Sequence, residues 1–218
     1  MGIIKQGILG GFRKKTGTVV GAFWRDLNVI RALPRASGKP ASPAQIIQRS
    51  RFALVISFLS SFSDLIEIFY SNRSASNSPM NEAVAYHLKE AITTVGSDIE
   101  MDYTKVKFAR GKLELPATMR LAATVEGKVD FEWTNVGSTN LKYRDATDMA
   151  NLLVYNPAKK QFVSLMNAAP RSAEVFKLQL PLEFGEDYVH CYINFSSTLK
   201  KGLVSNSQYV GKIQIVAM

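Results

Sequence analysis

The stretch "TVVGAFWRDLNVIRALPRASGKPASPAQIIQRSRFALVISF", residues 18–58, decides the fold because strand-like sequence gives way here to helix-like sequence. Its first part places β-forming residues on either side of an Asp-Asn turn, which predicts a hairpin of residues 17–24 with 28–33. Prolines and a glycine then predict an extended linker. Ser42, Pro43 and Gln45 predict a capped helix start, because the serine and glutamine side chains can bond free backbone N–H groups of the first turn.

After this start, large apolar residues recur every three, four or seven positions, which is the period of one helix face. That face is formed by Ile47, Leu54, Phe58, Phe62, Leu65 and Phe69. A second apolar face is formed by Phe52, Val55, Ile56 and Leu59. We therefore expect the middle of this helix to be buried on most sides.

Two further helix starts follow. Ser63-Asp64 predicts a break, with Asp64 capping a second helix. Ser78-Pro79 repeats the cap-plus-proline pattern and predicts a helix that runs through "MNEAVAYHLKEAITTV" to Gly96. The region therefore contains two or three helices.

From Met101 onward, short alternating runs are separated by Gly, Asn, Pro and Lys. The predicted strands are 103–109, 112–115, 119–125, 128–134, 151–156, 161–165, 174–180, 188–195 and 209–217. Runs at this spacing indicate an antiparallel sandwich, Ig-like or fibronectin-like, of about seven strands. In the last run, Ile213, Ile215 and Ala217 alternate and should face a core.

The expected fold is therefore α+β: an N-terminal β-hairpin arm, two or three helices, and an antiparallel β-sandwich. We divide the chain into a basic Gly-rich β arm and linker (1–41), a helical segment (42–97) and the sandwich (98–218). A hydrophobic fraction of 46% with a charged fraction of 21% excludes wholesale disorder.

The excess positive charge is confined to the N-terminus. Residues 1–51 hold ten Lys/Arg and one acid, whereas the remaining residues hold seventeen of each, so the net +9 of the chain lies in its first quarter. Such an asymmetry indicates a segment with its own partner or environment.

No motif predicts an enzyme, a cofactor or a metal site. A phosphate loop needs four residues between its glycines and a lysine after the second; here five separate Gly11 from Gly17, and Thr18 follows. His190 and Cys191 are adjacent on a predicted strand, so their side chains point to opposite faces. Cys191, the one cysteine, is interpreted as a small core residue, and His87 as a surface or hydrogen-bonded histidine.

Carboxylates recur with a period of two in 98–102 and 130–132. Such a row could bind a cation or serve in acid–base catalysis. We favour a solvated strand face, which an antiparallel sheet commonly has.

Three hypotheses stay open for the N-terminal third. The first is an arm that assembles copies of the chain into a homo-oligomer or homopolymer, because so short a β-prone segment cannot form its own core. The candidate assembly residues are Gly11, Phe12, Gly17, Val19, Val20, Phe23, Trp24 and Ile30. The second is nucleic-acid binding, with phosphate contacts from Arg13, Lys14, Lys15, Arg25 and Arg31. In the third, the arm packs on its own domain and its bases are solvated.

The first quarter of the chain resembles an uncharacterised family of Bacteroidota proteins, a domain of unknown function with the pattern "GKxGxVVG…W…xxIRxxP…NPxTxAQxxQRxxF". The matching residues are Gly17, Val19, Val20, Gly21, Trp24, Ile30, Arg31, Pro34, Pro40, Ala44, Gln45, Gln48, Arg49 and Phe52. "KTG" and "GKPASPAQ" depart from the pattern. The resemblance implies no catalytic residue, and similar linker-plus-helix patterns in phage-like proteins imply a structural role.

No membrane span is expected, because the longest apolar run, 52–62, is too short for a bilayer. The N-terminus lacks a signal-peptide pattern, so we expect synthesis in the cytoplasm. The final location stays open and includes a phage-like or extracellular assembly.

Overall fold

The chain forms two compact units, Met1–Ile46 and Ile47–Met218, in a computed structural model. The structure describes residues 2–4, 11–24, 27–35, 38–70, 77–95, 98–124, 127–135 and 143–216. The expected α+β class is confirmed, with an N-terminal antiparallel sheet followed by three helices and further antiparallel sheets.

The N-terminal unit contains a four-stranded antiparallel sheet in the order β1-β4-β3-β2. Its strands are β1 (Gly2–Ile4), β2 (Lys14–Thr16), β3 (Val19–Trp24) and β4 (Leu27–Ala32). The predicted hairpin is confirmed, because Val19 pairs with Ala32 and Trp24 with Leu27. The sheet leaves β1 and β2 as its two edges.

Three helices follow, α1 (Pro43–Ser60), α2 (Ser63–Phe69) and α3 (Pro79–Glu90). The predicted capping box of α1 is confirmed: Ser42 N–H donates to Gln45 Oε1 at 3.1 Å, and Gln45 N–H donates to Ser42 Oγ at 3.4 Å. Ser78 caps α3 in the same way, with its Oγ accepting from the N–H of Asn81.

Two helix boundaries differ from prediction. The N-cap of α2 is Phe62 and not Asp64, which lies inside the first turn, where a carboxylate favours the positive end of the helix dipole. The third helix ends at Glu90 rather than near Gly96. The β-branched residues that follow form β5 (Ile92–Val95), which pairs with β6 (Asp98–Met101), because such residues favour strands.

The prediction that the middle of α1 is buried on most sides is wrong. Val55 and Leu59 are completely buried, whereas Phe52 is 48% exposed and Ile56 36% exposed. The helix therefore packs through one side. Among the described residues no single helix is long and apolar enough to cross a bilayer. The helices α1 and α2 reach that length and hydropathy only together, and they are bent by 81° relative to each other.

The C-terminal half contains two larger antiparallel sheets, ordered β10-β9-β12-β13 and β11-β8-β7. Their strands are β7 (Thr118–Thr124), β8 (Lys128–Thr134), β9 (Met149–Asn156), β10 (Gln161–Pro170), β11 (Val175–Gln179), β12 (Tyr188–Ser196) and β13 (Gln208–Gln214). All seven correspond to predicted strands. The predicted strands 103–109 and 112–115 are wrong: Asp102 caps a 3-10 turn at Tyr103–Lys105, and Leu113 makes only an isolated bridge. The sandwich type, Ig-like or fibronectin-like, stays a prediction.

Two hydrophobic cores stabilise the larger unit. One joins the helices to β9 and β12 and includes Leu59, Ile66 and Phe108. The other receives side chains from both large sheets and includes Phe131 and Ile193. Ile215 is buried in this second core and Ile213 packs against it, as expected, while Ala217 lies outside the described residues.

Candidate functional site

The N-terminal sheet exposes most of its large apolar side chains. Ile3, Phe23, Trp24, Leu27 and Leu33 are each at least 37% exposed. Among the described residues of the N-terminal unit, Val29 is the one hydrophobic side chain that is buried. A sheet of this size with so little buried apolar surface is not stabilised by its own core.

The glycines predicted for the arm have clear structural roles. Gly17 has a φ of +60° as the first residue of the two-residue turn between β2 and β3, a conformation that favours glycine. Phe12 crosses the sheet at Gly21, where an added Cβ would collide with the carbonyl oxygen and ring of Phe12. Gly11 lies equally close to the side chain of Asn28. These glycines therefore allow residues 11–12 to lie flat on one face of the sheet.

Replacing Gly21 by valine is expected to loosen the N-terminal sheet, because overpacking against backbone costs about 1–3 kcal/mol. Amide hydrogen exchange in β3 and β4 should then accelerate about tenfold or more. Gly2→Val is the matched control, since its Cβ would make only an ordinary contact with Ile30 at 3.4 Å. Equal exchange rates in the two variants would contradict the close approach of Phe12.

The four candidate phosphate contacts that the structure describes do not form one basic surface. Lys15 and Arg31 both lie opposite Val20, so they share a face of the sheet, and both are exposed. Lys14 points to the other face, and the Arg13 guanidinium lies 5.1 Å from the ring centre of Phe23. Arg25 lies outside the described residues.

A groove of about 800 Å³ lies in the larger unit, and the sequence did not predict it. One wall is a stripe of α1 at helical spacing, formed by Leu54, Ser57 and Phe58, and Ser61 in the turn directly after the helix continues it. One feature of the sequence could have indicated the groove, namely Ser57 and Ser61 within an otherwise apolar stripe.

The floor of the groove is aromatic. Tyr155 and Phe162 stack with their ring centres 4.5 Å apart, and Phe58 meets both rings edge-on at 5.2 and 5.4 Å. Tyr103 continues the floor at 5.1 Å from Tyr155. Burial raises the pKa of the Tyr155 hydroxyl well above its usual value, so this hydroxyl stays protonated even in moderately alkaline solution.

The strand β6 also lines the groove, through Ile99, Glu100 and Met101. Successive side chains of a strand point to opposite faces, so a cavity lined by three consecutive residues lies along the strand edge. Glu100 is exposed, and Lys160 also lines the groove. The groove thus combines a strand edge, a helix and aromatic rings.

The two histidines are buried and neutral. His87 Nδ1 lies 2.7 Å from the carbonyl oxygen of Ala83 and His87 Nε2 accepts from the N–H of Lys107 at 3.1 Å, so the proton is on Nδ1. Burial lowers the pKa of His87 to about 4. It also lowers the pKa of His190 to about 4, and the charge of Lys212 adds to this. Cys191 is buried, as predicted, and burial raises its pKa to about 12.

The carboxylate rows are only partly solvated. Asp98, Glu100 and Glu132 are exposed, but Asp130 is buried, with one oxygen 3.0 Å from Lys177 Nζ. The expectation of a solvated face is therefore wrong at Asp130, because the cross-strand lysine compensates its charge. Within the described ranges, no three His, Cys, Asp or Glu side chains converge as metal ligands.

A buried arginine was also not predicted from the sequence. Arg171 is 1% exposed; its Nε donates to Asp148 Oδ2 at 3.3 Å and its Nη2 donates to the carbonyl oxygen of Glu114 at 2.6 Å. Its own carbonyl oxygen accepts from Trp133 Nε1 and Asn135 Nδ2. This arrangement joins chain segments that are distant in sequence, so we assign it to stability.

These features define an α+β protein with an exposed apolar sheet and an aromatic groove. The chain belongs to a family of unknown function, DUF6266, whose pattern it matches over residues 11–211. Membership of such a family was expected, and the match covers nearly the whole chain rather than its first quarter. No curated protein matches the sequence.

Proposed function

We propose that this chain is a non-enzymatic structural protein that assembles with further copies of itself, as a filament or a ring, through its N-terminal β arm and its sheet edges. The observation that carries the proposal is the N-terminal sheet, whose large apolar side chains are exposed and whose one buried hydrophobic residue among those described is Val29. Covering such a surface stabilises the sheet by about 25 cal/mol per Å² of apolar area removed from water.

The edges of this sheet support assembly rather than binding of a small molecule. The edge strands β1 and β2 each pair on one side only in the described sheet. An unpaired edge offers backbone N–H and C=O groups to a strand of another chain, and its side chains supply specificity. Contacts between unlike surfaces of successive copies give a ring if the rotation closes and a filament if it does not.

Nucleic-acid binding is the second candidate. It is favoured by Lys15 and Arg31, two exposed bases on one face of the sheet. Two other bases support nucleic-acid binding less, because a phosphate backbone is bound by bases along one surface. Lys14 lies on the opposite face of the sheet, and Arg13 lies against the ring of Phe23.

The test of assembly compares the full-length protein with a variant lacking residues 1–35. We expect the full-length chain to form oligomers in mass photometry and negative-stain microscopy, and the shortened chain to be monomeric. In the full-length protein, Ile3→Glu should weaken assembly at least tenfold, because Ile3 is 53% exposed on the edge strand. The control is Leu182→Glu, at a position in the larger unit that is 73% exposed.

Assembly that persists without residues 1–35 would contradict the proposal. Nucleic acid that co-purifies with the protein, and that is lost in 0.5–1 M salt or in the double variant Lys15→Glu/Arg31→Glu, would favour the second candidate instead. Such salt dependence is expected of phosphate contacts, whereas apolar strand pairing is stable in salt.

A further inference from the structure

We propose that the aromatic groove between α1 and β6 receives the edge strand β1 of a second copy of the chain. The inference rests on the proposed function, and it names the surface with which the arm pairs.

The first step concerns the edge of β6. Next to this hairpin, Asp102 N–H donates to the carbonyl oxygen of Ala91 at 2.8 Å. Bonded and non-bonded pairs alternate in an antiparallel ladder, so the backbone N–H and C=O of Ile99 and Met101 are directed away from β5.

The second step is that this edge faces the groove. Ile99 and Met101 both line the cavity, and within the described sheets β6 pairs only with β5. A strand laid in the groove can therefore hydrogen-bond to β6 as a third strand. Its alternate side chains would point to the rings of Phe58 and Phe162 on one side and to solvent on the other.

The third step is the identity of the occupant. The groove needs a short apolar strand at the edge of a sheet, and β1 is such a strand in the described sheet, with the sequence Gly-Ile-Ile and with Ile3 half exposed. Charge also favours the arm: residues 1–41 hold eight Lys/Arg and one acid, a net +7, whereas Asp98 and Glu100 are exposed acids on β6. Lys160, at the groove, is the one base among its described lining residues.

The fourth step is the consequence for assembly. The arm and the groove are different surfaces, so each copy would donate one strand and receive one. Contacts of this type are heterologous, and they produce a ring or a filament when each copy donates its strand to a different neighbour, whereas two copies that exchange strands reciprocally form a dimer. The groove therefore supplies the receiving surface that the proposed ring or filament requires.

Cross-linking between two variants, each with one introduced cysteine, tests the pairing. Cys191 is buried, so an introduced exposed cysteine is the reactive thiol. We expect Ile3→Cys mixed with Ser61→Cys to give a cross-linked heterodimer with a short bismaleimide, at a yield at least tenfold above that of Ile3→Cys mixed with Ser60→Cys. Ser60 is the matched control because it is the exposed neighbour of Ser61, at the last residue of α1, but is not among the residues that line the groove. Equal yields would overturn the proposal.

The full-length double variant Ile3→Cys/Ser61→Cys distinguishes the two sources of the strand. Cross-links between chains support a second copy, whereas cross-links within monomers, with none in the mixture of single variants, overturn it in favour of the chain's own arm. Circular dichroism checks that every variant is folded.

A groove-blocking variant separates this inference from the proposed function. Ser61→Trp should lower the fraction of assembled protein at least tenfold, while Ser60→Trp should leave it unchanged. Glu100→Lys should also weaken assembly, more than Glu183→Lys at another exposed acid. If removal of residues 1–35 abolishes assembly but Ser61→Trp does not, the groove is wrong and the arm stands. If assembly persists without the arm, both are wrong.

Discussion

Replacement of Arg171 by methionine is expected to lower the free energy of unfolding of the larger unit by about 3–5 kcal/mol, the usual cost of breaking a buried ion pair by removing one partner. Arg171 and Asp148 are 1% and 0% exposed, so the variant leaves the Asp148 carboxylate buried without its cation. The carbonyl oxygen of Glu114 loses a hydrogen bond of 2.6 Å as well. The Phe195 ring, 4.4 Å from the guanidinium carbon, also loses a cation–π contact.

The measurement is chemical denaturation followed by tryptophan fluorescence, since Trp133 is buried beside Arg171 and donates to its carbonyl oxygen. Arg120→Met on the exposed side of β7 is the control and should change stability by less than about 0.5 kcal/mol. The double variant Arg171→Met/Asp148→Asn should recover part of the loss, because it removes the uncompensated charge but keeps an oxygen for the N–H of Asp145. Equal effects of Arg171→Met and Arg120→Met would show that the pair contributes nothing.

The local features of this fold could be predicted because they depend on neighbouring residues. The capping box at Ser42 and the serine cap at Ser78 each require only residues within one turn, and both form as expected. The alternating strands, such as Tyr188–Ser196, also follow from a local period of two. Where local signals compete, prediction is less accurate: Ile92–Val95 follows a helix without an intervening glycine, and only its β-branched residues indicate a strand.

Features that depend on distant partners could not be predicted. Arg171 and Glu114 are far apart in sequence, and nothing near either residue shows that they meet. Asp130 has the same pattern as a solvated carboxylate, and its burial depends on Lys177 in another strand. The groove is of the same kind, because its walls come from α1, β6 and the β9–β10 hairpin. The basic, Gly-rich arm could be recognised from its sequence, but the exposure of its apolar side chains became visible only from the sheet that its strands form.

Acidification from pH 7 to about pH 4 is expected to destabilise the larger unit, and His87 alone should contribute up to about 3 kcal/mol. The pKa of His87 is about 4 in the folded protein and 6.5 in the unfolded chain, because burial disfavours the imidazolium. The unfolded chain therefore binds the proton first as the pH falls below 6.5. The contribution of His87 to the free energy of unfolding is fully present above pH 6.5. It is lost progressively as the pH falls, until His87 is also protonated in the folded protein near pH 4.

A non-titrating variant isolates this contribution. His87→Gln should be less stable at pH 7, because it cannot keep both the bond to Ala83 and the bond to Lys107, yet its stability should change less between pH 6.5 and 4. His190→Gln should remove a separate share over the same window, since its pKa is also about 4. Carboxylates with lowered pKa values, such as Asp102 and Asp187, also lose part of their contribution as the pH falls towards their unfolded value of 3.8, but the wild type and His87→Gln share them, so the difference between the two proteins isolates His87. If the free energy of unfolding of His87→Gln falls with pH as steeply as that of the wild type, His87 is already exposed to solvent in the folded protein.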